Sequence, residues 1–281
     1  MIKLVLSDMD GTLLPFGEKI VSERTRNAIC AAQEAGIHFG PASGRDRAAL
    51  LVSFAGDEKC VRTGIMGNGK QVYLDGELIL HEEFDAAAIA ALAKAVLPFR
   101  GCFVMVNAVD DPLSENAQGL CLGIASDDED ALATVAGARQ KASVVSAIPH
   151  GLAAISGGVF IDERHANADE VRAALKAAAA EVNLDFLQPA PFFLDVIPRG
   201  WTKASALPAL LDALGLDLDE VAFIGDSEND LTMMRAVPHA YAVANATPEA
   251  KAAAGQIIAS AQDDAVAQYL ERLTSQKQKT S

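Results

Sequence analysis

The sequence predicts an α/β protein in which a doubly wound parallel sheet is interrupted by an inserted α+β domain. Short apolar runs alternate with helical segments before residue 84 and after residue 188, a pattern typical of βαβ units. Between these two stretches the alternation is lost. At 281 residues the chain is also longer than most single domains. We therefore expect residues 1–83 and 189–274 to form one core, residues 84–188 an inserted domain, and residues 275–281 a flexible tail.

The first core segment alternates strand and helix. Residues 2–6 form a short apolar run that leads to the carboxylate of Asp8, as expected of a buried parallel strand. Ser22 suits the N-cap of a helix over 22–35, and Gly36 follows its end. Strands are predicted at 37–41 and 61–66, with a helix at 46–54 between them. Residues 71–80 instead predict a β-hairpin, because Asp75-Gly76 is a favoured two-residue turn.

The inserted stretch and the return to the core differ in pattern. In the insertion we predict helices at 86–97, 129–140 and 168–181, and strands at 102–107, 120–125 and 159–162. Pro189 and Pro191 indicate a return linker over 183–191. Alternation then resumes, with strands predicted at 192–197, 221–224, 240–244 and 257–260 and helices at 202–214, 230–236 and 263–273. The polar residues 274–281 are expected to be disordered.

Composition and charge narrow the possible partners. The net charge is −15, so the long-range field repels nucleic acids and anionic membranes. A local cluster of metal and lysine still permits a small anionic substrate. The N-terminus reaches Asp8 before an apolar signal-peptide core is formed, and the Ala-rich segment 86–97 is too short to span a bilayer, so we expect a cytoplasmic protein. The spacing of the cysteines suits neither zinc nor a disulfide framework and predicts free thiols: Cys30, Cys60, Cys102 and Cys121.

Polar groups follow the ends of several predicted strands, which is where parallel α/β sheets bind ligands. Asp8 and Asp10 come directly after the first strand, and buried carboxylates are costly unless a metal or a reaction uses them. Ser43 lies in a Ser-Gly-Arg turn that opens onto a helix, where backbone N–H groups suit a phosphate. Lys203 stands at the start of a predicted helix, where the positive end of the helix dipole disfavours a cation. The fourth segment, 225–230, again places acids after a strand and contains Asp226, Asn229 and Asp230.

In this order the four segments resemble the four motifs of the haloacid dehalogenase-like (HAD) superfamily, and the layout is similar to its Cof-type phosphatase branch. The resemblance covers roughly residues 1–83 and 189–274, and the insertion matches mainly in length and position. It implies a Rossmann-like core with an inserted cap domain, and a Mg²⁺-dependent phosphatase of small phosphorylated metabolites such as sugar phosphates or phosphorylated cofactors. Ser43 stands where threonine is as common, and Ala204 and Ala244 stand where this branch often has glycine.

The resemblance also implies a role for each motif residue. Asp8 would be the nucleophile that forms an aspartyl-phosphate, and Asp10 would be the general acid and then the base. Mg²⁺ would be held by the Asp8 carboxylate, the Asp10 backbone carbonyl and Asp226, with Asp230 supporting the metal site from behind. The residues that would bind the transferring phosphoryl oxygens are Ser43, Lys203 and Asn229.

Simpler interpretations remain for several of these residues. Asp230 also suits the cap of the helix over 230–236, and Ser43 also suits an N-cap. Lys203 also fits a solvated surface lysine. Arg45 is better explained as structural than as catalytic. Asn68, in Gly67-Asn68-Gly69, is better explained as a turn.

Other classes of protein share part of the pattern. A receiver-type signalling domain also phosphorylates an aspartate on a doubly wound sheet, but it is shorter and lacks an insertion. A phosphosugar mutase shares every motif residue and differs in returning the phosphoryl group to a bound sugar. A phospho-aspartate binding protein without activity is disfavoured because every motif residue with a chemical role is present. The sequence specifies neither the substrate nor the oligomeric state.

Overall fold

The computed structural model describes residues 1–110, 117–138 and 142–280. It contains two compact units. The first consists of Met1–Leu80 together with the described part of Thr202–Ser281, and the second consists of His81–Trp201. Throughout the described ranges, the helices are too short or too polar to cross a lipid bilayer.

The strands of the described residues, in chain order, are β1 (Leu4–Ser7), β2 (His38–Pro41), β3 (Gly64–Met66), β4 (Gln71–Leu74), β5 (Glu77–His81), β6 (Phe103–Val109), β7 (Gln118–Leu122), β8 (Ala142–Val144), β9 (Ala153–Phe160), β10 (Leu184–Ala190), β11 (Phe193–Pro198), β12 (Val221–Gly225), β13 (His239–Ala242) and β14 (Gln256–Ile257). The α-helices are α1 (Glu23–Glu34), α2 (Arg47–Ser53), α3 (Ala86–Val96), α4 (Glu129–Gly137), α5 (Ala168–Glu181), α6 (Leu207–Leu214), α7 (Leu231–Ala236), α8 (Pro248–Ala253) and α9 (Ala265–Thr280). Short 3₁₀ turns lie at Glu58–Val61, Gly67–Gly69, Lys203–Ala206, Leu218–Glu220, Glu228–Asp230 and Ala261–Asp263.

The first unit is built on a five-stranded parallel sheet with the strand order β14-β13-β12-β1-β2. β1 lies between β12 and the edge strand β2, and all four residues of β1 are buried. The predicted N-cap is present, since the Ser22 side chain accepts a hydrogen bond from the Thr25 backbone N–H. The prediction of an α/β fold with a parallel sheet core is confirmed, and the described residues form additional sheets beside it.

A small antiparallel sheet of β3, β4 and β5 extends the first unit. β3 was predicted as part of the parallel sheet, but its ladder partner is β4, with which it pairs antiparallel. On its other side it approaches β2 closely at Gly40 and Pro41, and a parallel bridge joins Ala42 to Ile65. The predicted hairpin turn is present between β4 and β5, where Asp75 and Gly76 both have positive φ.

The second unit has its own core and a six-stranded sheet with the order β10-β11-β9-β6-β7-β8. Its pairs are antiparallel except for β7 and β8. Helices α3 and α5 pack on each other, and their apolar residues contribute to this core. α4 ends at Gly137, and the last two residues predicted for it, 139–140, lie outside the described residues.

Two predictions about the chain near residue 190 were wrong. The predicted linker over 183–191 contains β10, and the strand predicted at 192–197 belongs to the second unit's sheet, where Leu194 pairs with Val159. β10 and β11 form an antiparallel pair whose register shifts between Leu187 and Ala190.

The predicted flexible tail was also wrong for residues 275–280, because α9 continues to Thr280. Tertiary contacts hold this helix. Arg24 makes two hydrogen bonds to Glu271 at 2.9 and 2.8 Å, and Lys277 Nζ donates to the Gly36 carbonyl at 3.0 Å. Ser281 lies outside the described residues.

Candidate active site

The carboxyl end of β1 brings three of the motif segments to one edge of the sheet. Ser7, the last residue of β1, pairs with Pro41 on one side and with Ile224 on the other. The backbone continues this pairing, since the Asp8 N–H donates to the Ile224 carbonyl at 2.9 Å. The segments that begin at Asp8, Ala42 and Gly225 therefore leave the sheet side by side.

Lys203, from the third motif segment, completes this edge. Its Nζ donates to Asp8 Oδ1 at 2.5 Å and to Asp230 Oδ1 at 2.8 Å. All three residues are buried, with exposed fractions of 2% for Lys203, 5% for Asp8 and 0% for Asp230. A lysine that is so fully enclosed is stable only with anionic partners, and two carboxylates supply them. The interpretation of Lys203 as a solvated surface lysine is therefore wrong.

Asp230 uses its second oxygen to brace the neighbouring loop. Asp230 Oδ2 accepts hydrogen bonds from the backbone N–H groups of Asp226 at 2.9 Å and Ser227 at 3.3 Å. A Cβ at position 225 would lie 2.5 Å from this oxygen, so the close approach requires Gly225. Asp230 thus joins Lys203 to the loop that carries Asp226. Asp230 stands at the N-cap position of α7, but its side chain makes no cap hydrogen bond to that helix, so the simpler interpretation is not confirmed. Its bond to the Ser227 N–H belongs instead to the capping box of the 3₁₀ turn Glu228–Asp230, and its carboxylate also belongs to the charged cluster.

Asp226 faces the loop that follows β1. Thr12 Oγ1 donates to Asp226 Oδ1 at 3.4 Å. The other carboxylate oxygen of Asp226 lies so close to Gly11 that a Cβ at position 11 would overlap it. Gly11 also has a φ of +85°, a conformation that other residues adopt at a cost. The Asp-x-Asp-Gly-Thr segment therefore packs its glycine and threonine directly against Asp226.

The crowded carboxylates have perturbed acidities. Burial and the neighbouring charge of Asp230 raise the pKa of Asp8 to about 7, although Lys203 acts in the opposite direction. Burial and Asp230 likewise raise the pKa of Asp226 to about 6. Burial lowers the pKa of Lys203, but Asp8 and Asp230 outweigh this effect and raise it above its ordinary value. The ammonium stays charged at neutral pH, and a further cation at the carboxylates would relieve the remaining repulsion.

The cluster fits a metal ion. Asp8, Asp226 and Asp230 each offer a carboxylate oxygen, and these oxygens lie within 4.8 Å of one another. A set made only of oxygen donors suits a hard divalent cation such as Mg²⁺. Both oxygens of Asp230 already accept hydrogen bonds from Lys203 and the Asp226 loop, so Asp8 and Asp226 are better disposed to be direct ligands.

Asp10 faces away from this buried cluster and toward Arg45. Arg45 Nη2 donates to Asp10 Oδ1 at 2.5 Å, and Arg45 Nε donates to Asp10 Oδ2 at 3.1 Å. The Asp10 side chain is 53% exposed. The first-strand segment thus holds one buried carboxylate and one that is accessible and paired with an arginine.

Ser43 and Asn229 make their hydrogen bonds outside the cluster. Ser43 is buried, its Oγ accepts a hydrogen bond from the Arg45 backbone N–H at 3.2 Å, and its carbonyl accepts one from the Asn68 N–H at 2.9 Å. Asn229 is exposed, and its Oδ1 accepts a hydrogen bond from Ser227 Oγ at 2.9 Å. The structure thus joins Asp8, Lys203, Asp226 and Asp230 directly. Asp10, Ser43 and Asn229 are placed around them without a bond to the cluster.

Three contacts at the site were missed from the sequence. Arg45 contacts Asp10, Thr12 contacts Asp226, and Asn245 Nδ2 donates to the Gly11 carbonyl at 2.7 Å. Arg45 and Thr12 lie within motif segments and were available as signals. Asn245 is 234 positions from Gly11, and no local pattern indicates the contact. Asn68 does form a turn, with a φ of +58°, as its simpler interpretation predicted.

Comparison with known proteins identifies the class of enzyme to which this fold and this charged cluster belong. The family model for haloacid dehalogenase-like hydrolases matches residues 5–270. The chain belongs to this family, so the predicted superfamily and the prediction of a hydrolase are confirmed.

Several known proteins are similar to this chain over most of its length. The 5-amino-6-(5-phospho-D-ribitylamino)uracil phosphatase YwtE of Bacillus subtilis is 27% identical over 98% of this chain and 99% of its own length. A chloroplastic endoribonuclease YBEY of Arabidopsis thaliana is 25% identical over 95% of this chain, which spans 46% of that protein. A solved structure from Plasmodium vivax, described as a HAD/COF-like hydrolase, is 23% identical with a TM-score of 0.74, covering 98% of this chain and 96% of its own. The last likeness shows a shared fold.

Proposed function

We propose that this hydrolase is a Mg²⁺-dependent phosphatase of small phosphorylated metabolites, acting through an aspartyl-phosphate on Asp8. The observation that carries the proposal is the buried Asp8 at the end of β1, 2.5 Å from the Lys203 ammonium and beside Asp226 and Asp230. A carboxylate in this position is fixed in orientation by one oxygen and has its second oxygen for attack on phosphorus. The family membership supports the same assignment.

The reaction runs in two steps. First, an Asp8 oxygen forms a bond to phosphorus while the bond to the leaving oxygen breaks, and Asp10 gives its proton to that oxygen. Second, a water oxygen bonds to phosphorus as the Asp8–phosphorus bond breaks, and Asp10 takes the proton of the water. Asp10 follows Asp8 by two residues on the accessible side of the loop, which suits a group that must reach the leaving oxygen and the water.

Lys203 supports both steps. An ammonium has three N–H donors, and Asp8 and Asp230 accept from two of them. The third suits a phosphoryl oxygen, which would gain negative charge close to a fixed cation. Ser43 and Asn229 are proposed as the other phosphoryl ligands. For Ser43 this agrees with its place at the end of β2, beside the strand that carries Asp8.

Mg²⁺ would neutralise charge on the transferring phosphoryl group. We assign its protein ligands as the Asp8 carboxylate, the Asp10 backbone carbonyl and Asp226. Asp230 would support this arrangement by holding the Asp226 backbone N–H and the Lys203 ammonium. The raised pKa values of Asp8 and Asp226 favour the same assignment, because crowded carboxylates release their protons more readily beside a cation.

Substrate choice is proposed to reside in the inserted unit, which would act as a cap. The motif residues lie in the first unit, whereas the second unit, His81–Trp201, supplies none of them. Sugar phosphates and phosphorylated cofactors are the proposed substrates, and the Bacillus subtilis relative is named for a ribityl phosphate in keeping with this class. The free thiols of the four cysteines suit a reducing compartment, and we infer that the enzyme acts in the cytoplasm.

A panel of phosphate esters tests the proposal. Purified protein with Mg²⁺ is offered hexose, pentose and ribityl phosphates, pyridoxal phosphate, flavin mononucleotide and a short RNA, and inorganic phosphate is measured. We expect phosphate release from a subset of the small esters and none with Asp8→Asn. Conversion of a sugar phosphate to an isomer without phosphate release would instead identify a mutase. Absence of any turnover on the panel, or cleavage of the RNA alone, would contradict a phosphatase of small metabolites.

A further inference from the structure

The ion pair between Arg45 and Asp10 is bidentate, unlike an ion pair held by a single contact. Two different guanidinium nitrogens reach the two carboxylate oxygens, at 2.5 and 3.1 Å. Both nitrogens are within hydrogen-bond distance of the carboxylate, and the bidentate form fixes the plane of the carboxylate as well as its position. We propose that Arg45 is a positioning residue that holds the Asp10 carboxylate in the orientation required for leaving-group protonation. This inference rests on the proposed role of Asp10.

Arg45 is itself held at three points. Its Nη1 donates to Ser53 Oγ at 2.8 Å, and Ser53 is 2% exposed. Its backbone N–H donates to Ser43 Oγ at 3.2 Å, and its carbonyl accepts from the Gly67 N–H at 2.9 Å. The guanidinium therefore connects the buried hydroxyl of Ser53, at the end of α2, to Asp10 in the loop that follows β1. Isolated surface ion pairs contribute little because both partners move, but here the arginine is anchored before it meets its partner.

Asp10 needs such a guide because its side chain is exposed. The Asp10 side chain is 53% exposed, so water can solvate its carboxylate in several orientations. General acid catalysis requires the acid to be within hydrogen-bond reach of the leaving oxygen, and small displacements reduce the rate strongly. Arg45 fixes the plane and direction of the carboxylate before the substrate arrives. Its effect should therefore appear only in reactions whose leaving group needs a proton.

The test is a double-mutant cycle read with two kinds of substrate. Arg45→Met and Arg45→Lys are made in the wild-type and Asp10→Asn backgrounds, and kcat/KM is measured for p-nitrophenyl phosphate and for an alkyl phosphate such as glycerol phosphate. General acid catalysis contributes about 10²–10⁴-fold, so we expect Arg45→Met to lower kcat/KM for the alkyl ester by roughly 10–100-fold. The loss for p-nitrophenyl phosphate should be several times smaller, Arg45→Lys should recover part of the loss, and Arg45→Met should add nothing when Asp10 is already Asn.

A matched control is Arg62→Met. Arg62 pairs with Asp75 at 3.2 Å in the same unit, with both side chains similarly exposed, and its loss should leave both rates unchanged. An equal loss for both substrates, or a further loss in the Asp10→Asn background, would overturn the positioning role while leaving the phosphatase proposal intact. Wild-type turnover by Asp10→Asn would overturn both. A melting curve for each variant separates these results from misfolding, and Arg45→Lys keeps the test available if Arg45→Met does not fold.

Discussion

Asp8 is expected to be a source of instability in the metal-free protein, so that removing its charge should stabilise the fold while abolishing turnover. Its pKa is raised from an ordinary 3.8 to about 7 by burial and by the neighbouring acids. Between these two values the folded state holds a proton on Asp8 that the unfolded state has released. The contribution of protonated Asp8 to the free energy of unfolding is therefore complete below pH 4, and it is lost as the pH rises toward and through 7.

The size of the effect follows from the same shift. Each pKa unit between the two states corresponds to about 1.4 kcal/mol, so the charge on Asp8 should destabilise the fold by about 4 kcal/mol at pH 8. Asp8→Asn has the shape of the protonated carboxyl and carries no charge at any pH. The unfolding free energy of the variant relative to the wild type should therefore rise from pH 4 to pH 8, by up to about 4 kcal/mol, because only the wild type gains a buried charge over this range.

Urea unfolding in EDTA, followed by far-UV circular dichroism from pH 4 to 8, measures this difference. Asp75→Asn is the control, because Asp75 is an exposed acid whose loss should cause a small change. Added Mg²⁺ should stabilise the wild type at pH 8 more than it stabilises Asp8→Asn. Equal stability of Asp8→Asn and the wild type at pH 8, or a gain that is the same at pH 4 and pH 8, would refute the reasoning.

Three further predictions concern the surroundings of Asp8. Lys203→Met leaves Asp8 and Asp230 buried without their cation, so it should destabilise the fold by about 3–5 kcal/mol. It should also slow the hydrolysis of all phosphate esters by a similar factor. Losses that differ between substrates in a kinetic panel would argue against a shared phosphoryl contact. Removal of Mg²⁺ with excess EDTA should abolish hydrolysis of p-nitrophenyl phosphate, and full activity there would exclude the metal. Asn245→Ala removes the hydrogen-bond partner of the Gly11 carbonyl and of the Ala261 N–H, both bonded at 2.8 Å or less. It should lower the free energy of unfolding in urea by about 1–3 kcal/mol and also lower kcat. An unchanged free energy of unfolding and an unchanged kcat would show that these two hydrogen bonds are dispensable.

The sequence predicted the parts of the site whose signal is local. An acid after a buried strand, or a lysine where the helix dipole disfavours it, indicates chemistry before any partner is known, and Asp8, Lys203, Asp226 and Asp230 do meet. The contact between Arg45 and Asp10 joins residues 35 positions apart, and its geometry depends on how two loops leave the sheet. The direction of the Asp10 side chain was therefore not predictable, although both residues lay in recognised segments.

The errors in the fold have a similar cause. β11 has the apolar pattern of a buried strand, and a pattern of that kind does not specify which sheet the strand joins. It was assigned to the core, whereas it pairs with β9 in the second unit. The last turns of α9 are polar, which suggested a disordered tail, but Lys277 in these turns donates to the carbonyl of Gly36, 241 positions earlier in the chain. Sheet partners and long-range caps of this kind are tertiary properties.

The phosphorylated enzyme itself provides the most direct test of the proposed chemistry. Asp10→Ala still allows Asp8 to attack p-nitrophenyl phosphate, whose leaving group needs little protonation, but it lacks the base for the second step, so the intermediate should accumulate. Rapid acid quenching followed by borohydride reduction converts an aspartyl-phosphate to homoserine. Mass spectrometry of the tryptic peptide 4–19, which contains both Asp8 and Asp10 in the wild type, then locates the change. We predict homoserine at position 8, lost in Asp8→Asn; turnover with position 8 unmodified, or homoserine at another residue, would contradict Asp8 as the nucleophile.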